Sequence, residues 1–337
     1  MVLLEAAKIL CNQNFSVFLV SFCDGPLRVE FEKLGIRIVI GRLYKSDPDS
    51  IRRISHGFDI ILANTVMCAL WIKHTSLPSE RIIWWLHESE GISRLVQENP
   101  QVFEEALIAA SNVYVVSEYA RRFVEKYCSP GIINLGISDN FDAEDRVGAV
   151  SDLHKTSIAV VGTFCHRKNQ ELVFKALKLM SASSLAKLEL IFVGQKKGRY
   201  YKSLIRVLKN EKLPVFFTGE ILDITEKWRL FADIDIFCVP SRDESCSLVV
   251  LEAFMLAKPV VISDKVGARY LVEPGKNGFI FQNDNAESLK NILEYLIEEP
   301  RLLAELGQSA RDTYLEKATL EQFATRFIQV VDSVLLV

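Results

Sequence analysis

The sequence lacks the features expected of a membrane-spanning, secreted or nucleic-acid-binding protein. Its longest apolar stretch, around residues 60–72, is interrupted by Asn64 and Thr65 and is too short to span a bilayer. The start, MVLLEAAKIL, has no basic leader and no small-residue cleavage site, so we expect no secretory signal. The 40 Lys and Arg against 43 Asp and Glu give a net charge of −3, without the basic surplus typical of nucleic-acid binding. We predict a cytoplasmic protein with, at most, peripheral contact at the inner face of a membrane.

Cofactor and metal motifs are also missing. The seven cysteines are odd in number, scattered and never spaced as C-x-x-C, which favours free thiols in a reducing compartment. No cluster of Cys and His has metal-ligand spacing, so we predict no metal site. The absence of G-x-G-x-x-G argues against a nicotinamide-dependent oxidoreductase, and the absence of G-x-S-x-G against an α/β-hydrolase. We therefore expect chemistry that needs no bound cofactor.

The chain does contain a regular alternation of short apolar runs and amphipathic stretches. The runs are continuously apolar, as in strands covered on both faces, so the alternation predicts parallel sheets in an α/β fold. The candidate strands are residues 16–22, 36–40, 59–64, 81–86, 112–117 and 131–135 in the first half, and 157–162, 188–194, 215–219, 235–240, 259–263 and 278–281 in the second.

The 337 residues are enough for two domains. Residues 139–156 are polar and have no periodic apolar face, so we predict that they link one Rossmann-like domain over 1–150 to another over 151–317. The last segment, 318–337, carries its apolar residues on one helical stripe. We predict that it forms a helix that returns to the first domain.

A single carboxylate stands out in the stretch SRDESCSLVVLEAFMLAKPVV. Between Leu248 and Leu256 the segment is apolar all round except for Glu252, which predicts a buried helix with one acidic side chain inside it. Burying a carboxylate is costly unless it has a partner. The partner is either a structural cation or backbone donor, or a bound ligand.

The start of this helix predicts an anion site. It follows the carboxyl end of a strand, where open parallel sheets bind ligands, and the backbone N–H groups of Ser245, Cys246 and Ser247 would face a bound anion. Glu244 lies eight positions before Glu252. Two carboxylates beside an anion-binding helix end suit a sugar-diphosphate, because carboxylates bind hydroxyls and the helix end binds phosphate.

Two further loops follow predicted strands. In VVGTFCHRKNQ, a strand ends at Gly162, and Arg167 and Lys168 precede a helix that starts near Gln170, so these cations would neutralise a diphosphate or form a solvated basic loop. In RIIWWLHESEG, His87 and Glu88 follow a strand. His87 is then either a residue of the site or a cap of the next helix, and Asn64 ends a strand in a similar position.

Taken together, these stretches resemble the retaining glycosyltransferases of family 4, also called group 1, which have the GT-B fold of two Rossmann-like domains with parallel sheets facing across a cleft. The resemblance is strongest from Ile158 to Leu289. Glu244 and Glu252 match the paired-glutamate signature, and GTFCHRKNQ matches the phosphate-binding loop. FTGEILD and GARYLVEPGKNGFIF match the segments on either side of the signature.

The resemblance implies that the C-terminal domain binds a UDP-sugar or GDP-sugar donor without metal. Glu252 would bind the ribose hydroxyls, Glu244 the transferred sugar, and Lys168, helped by Arg167, the diphosphate. The implied donor-binding residues are Gly162, Thr163, Arg167, Lys168, Gly219, Glu220, Ile221, Ser245, Cys246, Ser247, Leu248 and Glu252.

The resemblance also implies that the N-terminal domain is on the acceptor side, with Asn64 and Glu88 near a glycan or lipid-linked acceptor. His87 would lie beside the reacting carbon and, with Glu244 and Lys168, complete the catalytic set. The implied reaction is transfer with retention at the anomeric carbon, in the assembly of cell-surface polysaccharide or lipopolysaccharide.

Two departures from the family pattern leave alternatives open. Thr163 stands where the family usually has Arg, and the strand and glycine-rich loop that normally precede the first helix are missing, so that residues 2–14 are the first predicted helix. The alternatives are a non-catalytic nucleotide-sugar-binding remnant of the same fold and an epimerase or hydrolase of nucleotide-sugars.

Overall fold

The computed structural model describes residues 2–41, 47–141, 155–209 and 211–336. The chain forms two compact units: Met1–Leu135 together with Leu320–Val337, and Gly136–Thr319. Most of the predicted linker, residues 142–154, lies outside the described residues. In the described parts of the chain, no helix is both long and apolar enough to cross a membrane.

The N-terminal unit contains parallel strands in two separate sheets, one of β1 and β2 and one in the order β3-β4-β5-β6. Its strands are β1 (Phe18–Ser21), β2 (Arg37–Ile40), β3 (Ile61–Asn64), β4 (Ile82–Leu86), β5 (Asn112–Val115) and β6 (Gly131–Ile132). Its helices are α1 (Val2–Asn12), α2 (Arg28–Lys33), α3 (Pro48–Ser55), α4 (Ala69–His74), α5 (Glu90–Glu98), α6 (Pro100–Ala109), α7 (Glu118–Arg121) and α15 (Leu320–Leu335).

The core of this unit lies around β4, whose five residues IIWWL are all buried. Trp85 packs against Phe323 and Phe327 of α15 with ring centroids 5.7 Å apart in both pairs. The apolar stripe of the last helix therefore covers β4, since Val331 and Val334 on the same stripe are buried too. The strand β1 is only half-buried, and β2 is half-buried after its exposed first residue, Arg37, whereas the sequence predicts fully buried runs there.

The C-terminal unit contains one six-stranded parallel sheet in the order β12-β11-β10-β7-β8-β9. Its strands are β7 (Thr156–Val161), β8 (Leu188–Val193), β9 (Val215–Gly219), β10 (Ile236–Val239), β11 (Val260–Ser263) and β12 (Gly278–Phe281). Its helices are α8 (Gln170–Leu179), α9 (Ala182–Ala186), α10 (Gly198–Leu208), α11 (Ile224–Ala232), α12 (Leu248–Met255), α13 (Ala286–Glu298) and α14 (Leu302–Lys317).

The strand order places a topological switch point between β7 and β10. From β7 the chain adds β8 and β9 on one side and then returns to place β10, β11 and β12 on the other. The loops that follow β7 and β10 therefore diverge at the carboxyl edge of the sheet, where ligands bind in open α/β folds. The continuously apolar runs predict parallel sheets, and this part of the prediction is confirmed by the pairing of all six strands.

Candidate active site

The loops after β7 and β10 meet in a charged cluster around Glu244. The Lys168 ammonium lies 2.6 and 2.8 Å from the two oxygens of the Glu244 carboxylate, and Arg167 Nη1 lies 3.6 Å from Oε2. Ser241 Oγ donates a hydrogen bond to Oε2 of this carboxylate at 2.9 Å. Glu244 is 9% exposed, so its charge is held in a place with little water. Lys168 and Arg167 thus place two positive side chains beside the Glu244 carboxylate at the switch point, an arrangement that suits an anionic ligand.

Two glycines give Lys168 its position. Gly162 has φ +140°, and a Cβ at this residue would lie 3.3 Å from Lys168 Cε. At Gly194, which follows β8, a Cβ would lie 2.2 Å from the carbonyl oxygen of Gly162. A side chain at Gly194 would therefore displace the loop after β7. Thr163, the residue after Gly162 in this loop, is exposed. Its carbonyl accepts a hydrogen bond from Gln170 Nε2 at 3.0 Å.

The start of α12 presents an unused hydroxyl. The sequence predicts Ser245, Cys246 and Ser247 as the N-terminal turn of this helix, but the helix begins at Leu248: Ser245 and Cys246 precede it, and Ser247 is its N-cap. Ser247 is 1% exposed, and its Oγ is buried with no hydrogen-bond partner and does not cap the helix. Such a hydroxyl beside free helical N–H groups is suited to an anionic ligand.

Cys246 is no candidate nucleophile. Burial, reinforced by the nearby Glu244 carboxylate, raises the pKa of its thiol to about 12. The thiol therefore stays protonated at neutral pH, whereas the reactive form of cysteine is the thiolate.

Glu252, in the second turn of α12, is buried and pairs with a lysine. Its exposure is 5%, and Lys227 Nζ lies 2.6 Å from Oε1. Burial raises the pKa of Glu252, and the charge and hydrogen bond of Lys227 lower it only in part. Lys227 also lies 4.4 Å from the centre of the Trp228 ring. The partner of the buried Glu252 carboxylate is thus Lys227 of α11. The sequence does not single out this lysine, because it lies on an ordinary amphipathic helix.

The loop after β9 carries the residues predicted to border the base. Gly219 has φ +98°, which turns the chain at the end of the strand. Glu220 Oε2 accepts a hydrogen bond from Gln195 Nε2 at 2.7 Å, so the loops after β8 and β9 are joined. Ile221 follows and is half-exposed. These residues, the Glu244 cluster and the start of α12 all follow strands at the carboxyl edge of one sheet.

In the N-terminal unit, Asn64, His87 and Glu88 lie where β3 and β4 end. The Glu88 carboxylate accepts hydrogen bonds from the backbone N–H groups of Val66 and His87, both at 3.1 Å. Burial raises the pKa of Glu88, and these two bonds offset part of that effect. Burial lowers the pKa of His87 to about 4, and its ring lies 4.4 Å from the Trp85 ring. His87 is therefore neutral at physiological pH.

Two family models match the chain. The model described as "Glycosyl transferases group 1" matches residues 142–313, which is more than half of the chain. The chain belongs to this family. The model described as "Glycosyl-transferase family 4" matches residues 1–142. The family predicted from the Glu244–Glu252 stretch and the loop GTFCHRKNQ is confirmed.

Relatives of this group 1 glycosyl transferase match parts of it. The putative glycosyltransferase EpsD of Bacillus subtilis is 29% identical over 169 residues, 49% of this chain and 43% of the relative. Poly(ribitol-phosphate) alpha-N-acetylglucosaminyltransferase of Staphylococcus aureus is 28% identical over 126 residues, 37% of this chain and 25% of the relative. The match thus spans less than half the length of either relative.

Solved structures resemble the group 1 glycosyl transferase over nearly its whole length. Anabaena HepE in complex with UDP has a TM-score of 0.81 at 22% identity, covering 98% of this chain and 96% of that one. The same protein in complex with UDP-glucose has a TM-score of 0.80 at 22% identity, covering 98% and 95%. Sucrose-phosphate synthase of Thermosynechococcus elongatus has a TM-score of 0.78 at 19% identity, covering 97% and 91%. At this identity the likeness concerns the fold, and the predicted GT-B class is confirmed.

Proposed function

We propose that the chain transfers a sugar from a nucleotide-diphosphate donor, a UDP-sugar in the first place, to a glycan or lipid-linked acceptor with retention of configuration. The complexes of Anabaena HepE with UDP and UDP-glucose support this choice of nucleotide over GDP. The poly(ribitol-phosphate) substrate in the name of the Staphylococcus aureus relative supports a role in cell-surface polysaccharide assembly. The predicted place of action is the cytoplasm, with at most peripheral contact at the inner face of a membrane.

The observation that carries this proposal is the charge arrangement at the switch point of the C-terminal unit. Lys168 and Arg167 supply two positive charges beside Glu244, and the unpaired hydroxyl of Ser247 lies at the start of α12. Cations and helix N–H groups bind a diphosphate, while a carboxylate binds sugar hydroxyls. A nucleotide-sugar contains both kinds of group within one molecule.

Each residue of the donor site then has a role. Lys168 and Arg167 hold the diphosphate, and Lys168 stabilises the negative charge that develops as the diphosphate leaves. Glu244 binds the transferred sugar and Glu252 the ribose hydroxyls. The remaining donor-binding residues are Gly162 and Thr163 in the loop after β7, Gly219, Glu220 and Ile221 beside the base, and Ser245, Cys246, Ser247 and Leu248 over the sugar and phosphate.

The proposed reaction needs no nucleophile from the protein. The acceptor oxygen attacks the anomeric carbon on the face from which the diphosphate departs, the bond from that carbon to the phosphate oxygen breaks, and the departing phosphate takes the acceptor proton. Cys246 is protonated at neutral pH and so supplies no thiolate nucleophile. Asn64 and Glu88 are proposed to contact the acceptor.

We expect replacement of His87 by alanine to reduce turnover more than nucleotide affinity, because its proposed role is beside the reacting carbon. With a pKa of about 4, His87 gains a proton only as the pH falls toward that value, so its titration should leave kcat unchanged between about pH 6 and 7.5. The measurement is kcat and nucleotide Kd for the parent, His87→Ala and the exposed control His56→Ala. Equal losses of kcat and affinity would remove His87 from the reacting centre.

The proposal is tested by calorimetric titration of the purified chain with UDP, GDP, UDP-glucose and GDP-mannose without added metal, followed by product analysis with candidate acceptors. Saturable binding of a uracil nucleotide together with formation of a glycoside supports it. Binding with release of free sugar indicates a hydrolase, and a changed sugar on the same nucleotide indicates an epimerase. Binding without turnover of any kind indicates the non-catalytic alternative.

A further inference from the structure

The helix α10 and the loop before it carry a surface of one charge sign. From Gln195 to Lys209 the sequence contains no Asp or Glu. The same stretch contains six cations, all of them exposed: Lys196, Lys197, Arg199, Lys202, Arg206 and Lys209. These six side chains are called the α10 basic surface below. Their summed charge of +6 contrasts with the net charge of −3 for the whole chain.

The helical period places most of these cations on one face, over about 15 Å of helix. Four of them follow one another at intervals of three, four and three residues: Arg199, Lys202, Arg206 and Lys209. A different side of the helix holds it to the sheet. Leu204 is buried there, and the Tyr201 ring lies 5.0 Å from that of Phe164 and 5.8 Å from that of Phe217. This packing keeps the basic face turned toward solvent.

The cations of the α10 basic surface are not compensated by the fold. Among the described residues, none of the six makes an ion pair with a carboxylate. Other exposed helices differ in this respect: Lys290 of α13 pairs with Glu294, and Lys33 of α2 pairs with Glu30, both at 2.8 Å. Like charges three or four positions apart on a helix repel each other, so the basic face lowers the stability of α10.

The start of α10 adds to this cost. Lys197 is its N-cap without a side-chain hydrogen bond to the helix, Arg199 is its second residue, and its first turn has no acidic residue. The amino end of a helix carries partial positive charge and favours acidic side chains, so cations are unfavourable there. Residues that break local rules of stability, with no compensating contact in the fold, are typical of functional surfaces.

The chemistry of this surface favours an anionic bilayer over other partners. A protein interface has an apolar centre, and Val207 is the one exposed large hydrophobic residue of α10. Single-stranded nucleic acid needs aromatic rings for base stacking, whereas Tyr200 and Tyr201 pack against the core. A bilayer with anionic lipids needs neither, because it attracts clusters of about four to eight Lys or Arg on an amphipathic helix by charge.

We propose that the α10 basic surface docks the C-terminal unit on a bilayer that contains anionic lipids, with the headgroup phosphates against the cationic face. The contact is electrostatic, so it is reversible and weakens as salt screens the charges. It gives a defined surface to the peripheral membrane contact predicted from the sequence. The proposal involves neither nucleotide nor acceptor and is independent of the proposed transfer activity.

The first test is sedimentation of the full chain, without nucleotide, with two kinds of vesicle. One kind contains phosphatidylcholine alone, and the other an equimolar mixture of phosphatidylcholine and phosphatidylglycerol. We expect binding to the mixed vesicles only, and loss of that binding at about 1 M salt, where the Debye length falls to about 3 Å. Binding to both kinds of vesicle, binding that survives high salt, or binding of RNA without binding of the mixed vesicles would overturn the proposal.

Two variants with the same change of net charge locate the contact. The test variant replaces three cations away from the start of α10: Lys202→Gln, Arg206→Gln and Lys209→Gln. Each cation near an anionic surface raises affinity about fivefold, so this variant should bind the mixed vesicles about 100-fold more weakly than the parent. The control replaces three exposed cations of the N-terminal unit that pair with carboxylates: Arg28→Gln, Lys33→Gln and Arg94→Gln. Equal losses in the two variants would remove the contact from α10.

The second test maps the contact without any substitution. Lysine side chains of the full chain are acylated in the presence of each kind of vesicle. The mixed vesicles should slow the acylation of Lys202 and Lys209 severalfold, and leave that of the exposed Lys33 and Lys276 unchanged. Equal labelling of Lys202 and Lys209 with both kinds of vesicle would contradict the proposal. Since neither test involves UDP, its outcome is separate from that of the proposed function.

Discussion

Replacing Lys168 by alanine should lower kcat by about 10²–10³-fold, the usual loss when one preorganised group that stabilises developing negative charge is removed. In the structure its ammonium lies 2.6 and 2.8 Å from the Glu244 carboxylate oxygens, and its side chain is 15% exposed. Removing it leaves Arg167 as the remaining described cation that pairs with the Glu244 carboxylate. The departing diphosphate would then lose its closest cation, and donor affinity should fall as well.

The control for this experiment lies on the helix that follows the same loop. Lys175 of α8 makes an exposed ion pair with Glu171 at 2.8 Å, and Lys175→Ala should leave kcat within a factor of two because exposed pairs contribute little. Lys168→Arg should restore only part of the rate, since a planar guanidinium does not replace a compact ammonium. Full activity of Lys168→Ala, with an unchanged urea midpoint, would contradict the proposed leaving-group role.

A loss of stability must be separated from a loss of chemistry at this position. The Lys168–Glu244 pair is largely buried, and removing one partner of a buried pair leaves the other charge uncompensated. Arg167 and Ser241 remain near the carboxylate and limit that cost. Steady-state rates of the parent and the variant should therefore be compared without urea. A urea unfolding curve of the variant must first show that it is fully folded under the assay conditions.

The parallel sheet of the C-terminal unit could be predicted from the sequence because its signal is local. Each of its strands is a short apolar run between amphipathic stretches; β10, for example, occupies Ile236–Val239 inside the predicted run 235–240. Strand order is not a local property. The contact of Lys168 with Glu244 joins residues 76 positions apart and exists because β10 lies next to β7.

The partner of Glu252 shows a different limit of sequence analysis. The lone acidic residue in an apolar helix predicts a buried carboxylate, and its 5% exposure agrees. Its partner Lys227 lies on α11, where a lysine on an amphipathic helix is ordinarily solvated. The start of α12 likewise lies three residues later than predicted, at Leu248 rather than Ser245, because helix starts depend on backbone hydrogen bonds rather than on the apolar pattern.

The break in the N-terminal sheet could not be placed from the sequence in any detail. The apolar runs predict β1 and β3 as members of a parallel sheet, and both strands form. Pairing, however, is decided between strands that are distant in the chain. The division of the strands into β1-β2 and β3-β4-β5-β6 follows from that pairing and from no local pattern.

The second large effect is expected at Glu252, where Glu252→Gln keeps the side-chain volume and removes the charge. Hydrogen bonds to charged groups contribute about 1.5–3 kcal/mol, so loss of the ribose contact should weaken UDP binding by about 10- to 100-fold. Glu226→Gln, on the exposed face of α11, is the matched control and should bind UDP as the parent does. Calorimetry of the three proteins gives the comparison directly.

The pH dependence of UDP binding identifies Glu252 more specifically. Burial raises the pKa of this carboxyl, so it becomes protonated, and loses acceptor capacity, at a higher pH than an exposed glutamate as the pH falls. As the pH falls from neutral toward the ordinary glutamate pKa, the UDP affinity of the parent should therefore decline more steeply than that of Glu252→Gln. The pH dependence that remains in the variant comes from the phosphate and from other groups. Identical slopes for parent and variant would show that Glu252 does not bind the nucleotide.

Stability separates the ligand-binding role of Glu252 from the structural role that its contact with Lys227 also permits. The pKa of Glu252 is higher in the folded protein than in the unfolded chain. Its protonated carboxyl therefore contributes fully to folding stability below the unfolded pKa, and this contribution is lost as the pH rises through the folded pKa. At pH 7.5 the buried charge thus costs stability despite Lys227, whose side chain is 20% exposed and can hydrate. We expect the free energy of unfolding of Glu252→Gln to equal or exceed that of the parent. A variant that binds UDP normally but unfolds at lower urea would make Glu252 a structural partner of Lys227 and would place the donor elsewhere.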